Sequence, residues 1–548
     1  MPKLTTATSA PLAVLAWAIG AAVFFRGSLI SGFAVVNGDP DDGKLIVYLH
    51  EHLFRWLKGQ ASFGSPAFYF PQTDVLGYSE AFLLNMLPYA GFRLLGADPF
   101  LSMQLLGISL SALCFFCTYD ILARRLGLRI TIALAAALIV TFPNNLFLKV
   151  SGAHIQFFAI YYLPLIALVA LAALKTFPQL TVRSLALTVL AFALYALLFA
   201  TSFYTAWLLA FCVLIGLVHA AIGFRADPRV LARNRGAFIA YAGAAAVGFA
   251  VGIIPFMVIY LPVLAVHSAR SFGEYISYAP HLYDVINVSG SNVIWGDLVA
   301  RILGAPRASA GERVLAVTPV MTTLFIVWAY RRRKPEDFAG SEVRAVFVSA
   351  CTALAIWSWL LTVKIGTFSA FWIPFHVLPG GGAIRAGERI QLLCSGFVAV
   401  ALAILIDAWS RGGREAGSTR RHFVAAAILC LCLLEQLNGS RPGLDRAAAL
   451  EALAVVPAPP AACEVAFTAN GGQRVLQPEA MWIALKAGLP TINGASGWRP
   501  PNWQLNDPRL DYFETARDWI TSSRLTRQVC LYDQATRAWS LFSRTPGT

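Results

Sequence analysis

The stretch Asn37-Gly-Asp-Pro-Asp-Asp-Gly-Lys44 follows the first long apolar run of the chain and carries three carboxylates, Asp39, Asp41 and Asp42, within four positions. Gly-Asp-Pro and Asp-Asp-Gly are ordinary turn chemistry, so a wet turn at the end of a membrane span accounts for them. A second reading sets the same carboxylates at a water–lipid boundary, where apolar walls tune an acid toward work as a general base. What surrounds the turn decides between the two.

Of 548 residues, 57% are hydrophobic and 13% charged, and the mean hydropathy is +0.63. Soluble domains carry about 25% charged residues. Half that share, together with long apolar runs, points to a polytopic membrane protein. The net charge of +14 raises the question of nucleic acid, but no basic stripe interleaves with aromatics. Most basic residues fall in short loops between apolar runs, where they orient a chain in a bilayer. The first run, near 11–30, lacks a small-residue cleavage site and reads as a retained helix. Cys114, Cys117, Cys212, Cys351, Cys394, Cys430 and Cys432 lie inside apolar runs as inert residues, whereas Cys463 and Cys530 lie in a polar C-terminal segment. No paired C-x-x-C metal spacing occurs.

Spans of about 20 residues are expected near 11–30, 100–122, 130–148, 157–174, 184–201, 204–222, 237–264, 313–330, 345–363, 390–409 and 422–437, about eleven in all. The segment 45–58 places apolar residues at helical spacing among His50, Glu51, His52, Arg55 and Lys58, which predicts an amphipathic helix lying in the interface. His50 and His52 would face different ways and do not form a metal pair. A second interfacial helix is expected over 80–95, and Phe68-Tyr-Phe-Pro71 suits the headgroup zone. When spans alternate, Arg124, Arg125 and Arg129; Lys175 and Arg183; Arg225, Arg229, Arg233 and Arg235; Arg331 to Lys334; and Arg411, Arg414, Arg420 and Arg421 fall on one side. The positive-inside rule makes that side the cytoplasm. The acidic turn, the loops 150–156, 265–312 and 364–388, and the C-terminus then lie outside. The expected fold is an all-α polytopic membrane protein, 1–440, with a small α/β domain, 441–548, on the outer side. That domain holds a strand candidate, Cys463-Glu-Val-Ala-Phe467, and a turn-rich run over 493–502. An oxidising exterior favours a Cys463–Cys530 disulfide. No repeat of fixed period is visible.

Several polar groups recur at this outer side. In Ser151-Gly-Ala-His-Ile-Gln156, His154 either meets a phosphate or caps the next helix. In Ala383-Ile-Arg-Ala-Gly-Glu-Arg389, Arg385 and Arg389 share a face if the segment is helical. Two such guanidiniums suit a phosphate; the alternatives are an ion-paired helix start with Glu388 or snorkelling to headgroups. Arg270 and Glu274 are four apart, as in a plain helix-surface pair. Trp498 and Trp503 either stack on a sugar ring or pack inside a turn. A carboxylate to deprotonate a hydroxyl, beside cations to neutralise a departing phosphate, is the set that group transfer from a lipid-linked phosphate needs; it obliges no metal.

Gly38-Asp39 with Asp41-Asp42, Gly152-Ala-His154-Ile-Gln156 leading into Tyr161-Tyr-Leu-Pro164, Ile384-Arg385 with Arg389, and Asn493-Gly-Ala-Ser-Gly497-Trp-Arg-Pro500 together resemble the GT-C superfamily of integral-membrane glycosyltransferases. Within it they are similar to bacterial relatives of dolichyl-phosphate-mannose protein mannosyltransferases. The resemblance implies that Asp39 activates an acceptor hydroxyl, with Asp41 or Asp42 as a second acid or as ligands of a possible divalent metal. It implies that His154, Arg385, Arg389 and Arg270 hold the donor phosphate, and that Gln156, Glu388, Asn493 and Trp498 meet substrate. Many members have Asp-Glu or Glu-Asp where this chain has Asp-Pro-Asp-Asp, which leaves all three carboxylates as candidates for the base. The implied donor is a polyprenyl-phosphate sugar, the acceptor a glycan, lipid or protein, and the outcome inversion at the outer face of a bacterial inner membrane. The competing readings are a transporter or flippase of lipid-linked sugar, which needs ionisable groups near the middle of its spans, and an O-antigen ligase or polymerase. Arg26, Asp120, Asp407 and Glu435 fall near span ends, which favours the enzyme.

Overall fold

A computed structural model describes residues 6–223, 232–267, 269–309, 311–331, 335–338, 341–411, 415–439 and 443–543. Of the residues invoked above to orient the chain, Arg225, Arg229, Arg332, Arg333, Lys334 and Arg414 lie outside the described residues. Eight helical segments are long and apolar enough to cross a bilayer: Pro99–Arg125, Ile130–Val150, Ile155–Leu174, Val182–Phe199, Phe203–Gly223, Arg235–Val266, Glu342–Thr362 and Gly387–Arg411. Helices also form at two more expected spans, Thr6–Phe24 and Glu415–Leu434.

The run expected as a span over 313–330 is different. Its helix, Pro319–Arg331, has 13 residues, short of the ~20 a bilayer needs. The apolar residues Val314, Leu315 and Ala316 before it form buried extended chain. The Leu315 carbonyl accepts from Asn145 Nδ2 at 3.1 Å, and Ala316 N donates to Asn287 O at 3.3 Å. Apolar content does not separate a span from a strap buried inside the protein, and proline is at home at a helix start. Eight of the about eleven expected spans therefore meet the length and composition of a crossing among the described residues.

The helix expected in the interface forms at Asp42–Leu57, but every residue from Gly43 to Phe54 is buried. Its polar side chains are spent on neighbours instead of water. Glu51 pairs with Arg93 at 2.8 Å and accepts from Tyr89 Oη. His50 contacts Asn85 and stacks on Phe82, and Lys44 pairs with Glu479. The second expected interfacial helix forms at Leu83–Leu94. Phe68 and Tyr69, expected among headgroups, are fully buried. The C-terminal segment covers them: Tyr69 N donates to Asn493 O and Phe70 N to Thr491 O, and the Tyr69 ring meets Trp503 at 4.7 Å.

Two features position the cavity described below. Gly248 and Gly252 let the helix Arg235–Val266 lie directly on Val182–Phe199, since a Cβ at either would come within 2.2–2.4 Å of the Val189 or Ala193 carbonyl. The other side of that helix exposes Val251, Val258 and Leu264, an apolar surface suited to lipid. At the opposite end of the chain, residues 443–543 build a three-stranded sheet in which Val465–Ala469 runs parallel to Val529–Asp533, and Val529–Asp533 antiparallel to Ala538–Leu541. The strand lies two residues later than expected. Val35–Val36 pairs with Leu444–Asp445, tying this unit back to the first helix. The expected Cys463–Cys530 disulfide is present and joins the two parallel strands. It closes 67 residues, so in the chain-entropy account its loss costs about 4 kcal/mol. Cys463→Ser with Cys530→Ser is expected to expose the C-terminal unit to limited proteolysis while the membrane helices stay protected; gel analysis of time points measures this.

Candidate active site

The acidic turn owes its shape to its glycines. Gly38 has φ +116°, a region open to glycine, and a Cβ at Gly43 would approach the Gly38 backbone to 3.0 Å. This folds the turn back on the start of the helix Asp42–Leu57. Asp39 Oδ1 accepts from Gly43 N at 2.7 Å and from Asp41 N at 3.2 Å, so it serves the helix start. Asp41 and Asp42 are left on the wall of a cavity of about 1450 Å³, and Asp39 is not.

That cavity gathers, among others, Asp41 and Asp42; His154 and Gln156; Arg270 and Glu274; Arg385 and Arg389; Arg474; and Trp498 and Arg499. The segment 385–389 is not α-helical, so the condition for a shared helix face is not met; only Gly387–Arg389 forms a tight turn, yet both arginines reach the same space. Arg385 N donates to Tyr204 Oη at 2.9 Å and its guanidinium lies over Tyr278. Arg389 lies between the rings of Tyr204 and Phe157. Glu388 does not line the cavity; it is buried, and neither carboxyl oxygen has a hydrogen bond among the described residues. Asn493 does not line it either. Its Nδ2 donates to Gln477 Oε1 and Tyr512 Oη, and its Oδ1 accepts from Thr468 N, all inside the C-terminal unit. The Trp498 ring faces the cavity but packs against Arg270 at 4.5 Å and His267 at 5.0 Å. Arg270 pairs with Glu274 at 2.6 Å, as its spacing implied.

A residue the sequence reading passed over holds the site together. Glu312 takes two hydrogen bonds from Arg389, at 2.7 and 3.1 Å, one from Lys149 at 2.8 Å and one from His154 Nε2 at 2.9 Å. Burial works against its charge, but Arg389 and Lys149 hold its carboxyl well below the usual range. His154 is pushed down to about 4, by burial first and then by Arg389 and Lys149. A neutral imidazole donating from Nε2 to Glu312 leaves Nδ1 to accept from Gln156 Nε2, 3.3 Å away. Its Nδ1 stands 3.9 Å from Asp42 Oδ2. The Asp42 side chain is 48% exposed, but the space it meets is the cavity interior. That enclosure, then Asp41 and Asp39, push its carboxyl up to about 6, against Arg385 and Arg389. Burial and Asp39 also raise Asp41. Among the described residues no group of three or more His, Cys, Asp or Glu side chains is placed to hold a metal ion.

Beyond its polar end the cavity continues between the helices Phe203–Gly223 and Arg235–Val266, along Phe199, Phe203, Phe249, Phe256, Tyr260 and Leu264. An ionised end opening into an aromatic and aliphatic groove fits an amphiphile.

No family model matches the sequence, and no curated protein matches it. Solved structures do. The apo oligosaccharyltransferase of Archaeoglobus fulgidus superposes with a TM-score of 0.54 at 12% identity, over 96% of this chain and 70% of that one. An arabinofuranosyltransferase from Mycobacteria gives a TM-score of 0.49 at 15% identity, over 88% of this chain and 31% of that one. The first likeness, over nearly the whole length of this chain, shows the fold: the chain folds as that oligosaccharyltransferase does.

Glu312→Gln leaves Lys149 and Arg389, both almost fully buried, without their carboxylate. The loss of a buried partner is expected to cost about 3 kcal/mol, read as a lower melting temperature of the detergent-solubilised protein.

Proposed function

We propose that this protein is an inverting glycosyltransferase that moves a sugar from a polyprenyl-phosphate donor to an acceptor hydroxyl at the outer face of a bacterial inner membrane, in the assembly or modification of a cell-surface glycan. The observation that carries the reading is the single cavity that joins a carboxylate, two guanidiniums and an apolar groove open along lipid-facing helices. The likeness in fold to an oligosaccharyltransferase supports it. In this reading Asp42, not Asp39, takes the proton of the acceptor hydroxyl. The acceptor oxygen forms its bond to the anomeric carbon as the bond from that carbon to the phosphate oxygen breaks. The departing polyprenyl phosphate keeps the electron pair, its charge met by Arg385 and Arg389 while its tail stays in the groove. His154, neutral, orients Gln156 and donates to Glu312, which holds Arg389, instead of supplying charge. With the odd number of crossings expected from the sequence, about eleven, the amino terminus lies in the cytoplasm and residues 443–543 outside.

The transporter reading loses ground to the buried carboxylates of the helices. Asp407 pairs with Arg411 and accepts from Arg129 N. Glu435 accepts from Val320 N, Met321 N and Trp295 Nε1. Both are engaged in capping helices, which leaves little for a path across the membrane.

Incubation of the purified chain with a panel of polyprenyl-phosphate sugars tests the proposal. Asp42→Asn is expected to lower transfer by about 100-fold or more, whereas Asp39→Asn, which keeps the cap, stays within a few-fold. The reverse order removes Asp42 from the role. Because the base must be unprotonated and its carboxyl titrates near 6, kcat/KM is expected to rise with pH through about 6 and level off above 7.

A further inference from the structure

We propose that the acceptor carries an anionic group, held by Arg474 and Arg499 on the wall of the cavity that the C-terminal unit contributes. The inference rests on the glycosyl-transfer reading and names the substrate class for its second half.

The cavity wall has five arginines, and they divide by partner. Arg270 is paired with Glu274 and Arg389 with Glu312. Arg385, Arg474 and Arg499 make no ion pair among the described residues. A glycosyl phosphodiester carries one negative charge, and Arg385 with Arg389 on the membrane-helix wall answer it. Arg474 and Arg499 stand on a different segment, and a single phosphate already held by the first pair leaves them unused. Unpaired guanidiniums lining an enclosed space attract whatever anion enters it.

Arg474 is also fixed in advance. Its Nε donates to Leu505 O at 2.7 Å, one terminal amino group to Leu510 O at 3.1 Å, and its plane lies over the Tyr512 ring at 5.0 Å. A guanidinium held this way loses little conformational freedom on binding. Asn506 lines the same wall, its buried Oδ1 without a hydrogen bond among the described residues. Arg499 is exposed and projects from the loop that also carries Trp498.

The full-length chain in detergent is tested by ligand-observed NMR with four probes. A glucuronate-containing disaccharide and a hexose 6-phosphate separate carboxylate from phosphate, a neutral disaccharide is the control, and a short-chain polyprenyl phosphate reports the donor side. At least one acidic sugar is expected to bind and the neutral one not. Arg499→Gln is expected to weaken the acidic sugar about tenfold and to spare the polyprenyl phosphate, Arg499→Lys to restore part of the affinity, and Arg385→Gln to do the opposite of Arg499→Gln. Equal binding of acidic and neutral sugars, or no effect of Arg499→Gln on either acid, overturns the inference. So does a loss of polyprenyl phosphate affinity in Arg499→Gln with acidic sugars unchanged, since that gives the second pair to the donor. Failure of the wild-type chain to bind polyprenyl phosphate overturns the transfer reading instead, and the sugar probes still judge this wall by themselves.

Discussion

Glu312 accepts two hydrogen bonds from Arg389 while also holding Lys149 and His154. Its partners come from the stretch 149–154 and from the segment 385–389, and Glu312 itself ends the long loop after residue 265, so one carboxylate joins three parts of the chain. Each of these charges alone would cost several kcal/mol to bury, and together they offset one another. Two cations against one anion leave a net positive charge beside Asp42. Arg389, together with Arg385, moderates the upward push that enclosure gives the Asp42 carboxyl.

The lipid side of the molecule follows a different rule. In hydrocarbon, packing replaces the hydrophobic effect as the force between helices, so close approach depends on small residues. Gly248 and Gly252 provide it on one side of the helix Arg235–Val266, while its other side stays apolar and open. The groove toward Phe203–Gly223 exists because the first contact is tight and the second is not filled.

Membrane class, most helices, the disulfide and the gathering of Asp42, His154, Arg385 and Arg389 were legible in the sequence, because apolar runs and motif chemistry are local signals. Glu312 was not. It contacts residues 77 and 163 positions away, and in Gly311-Glu312-Arg313 it reads as the polar edge of an apolar run. Which of the three neighbouring aspartates face the cavity was hidden as well, since it turns on Gly38 and Gly43 folding Asp39 onto the helix start. The helix Asp42–Leu57 misled for the same reason that Phe68 and Tyr69 did. An amphipathic pattern tells that a polar face needs partners, not whether those partners are water or protein.

The C-terminal unit docks on the first loop through Lys44 with Glu479, Trp482 Nε1 with Lys44 O, and Trp519 Nε1 with Phe70 O. The ring of Tyr69 lies so close to Gly494 that a Cβ there would sit 2.3 Å from it. During biosynthesis every membrane helix emerges before these residues do. The chamber therefore stays unwalled, with Phe68 and Tyr69 bare, until residues 443–543 have been translated and delivered. A nascent chain inserted in the bilayer without them would present greasy aromatics to surveillance proteases, so that delivery of this unit and closure of the cavity become one event.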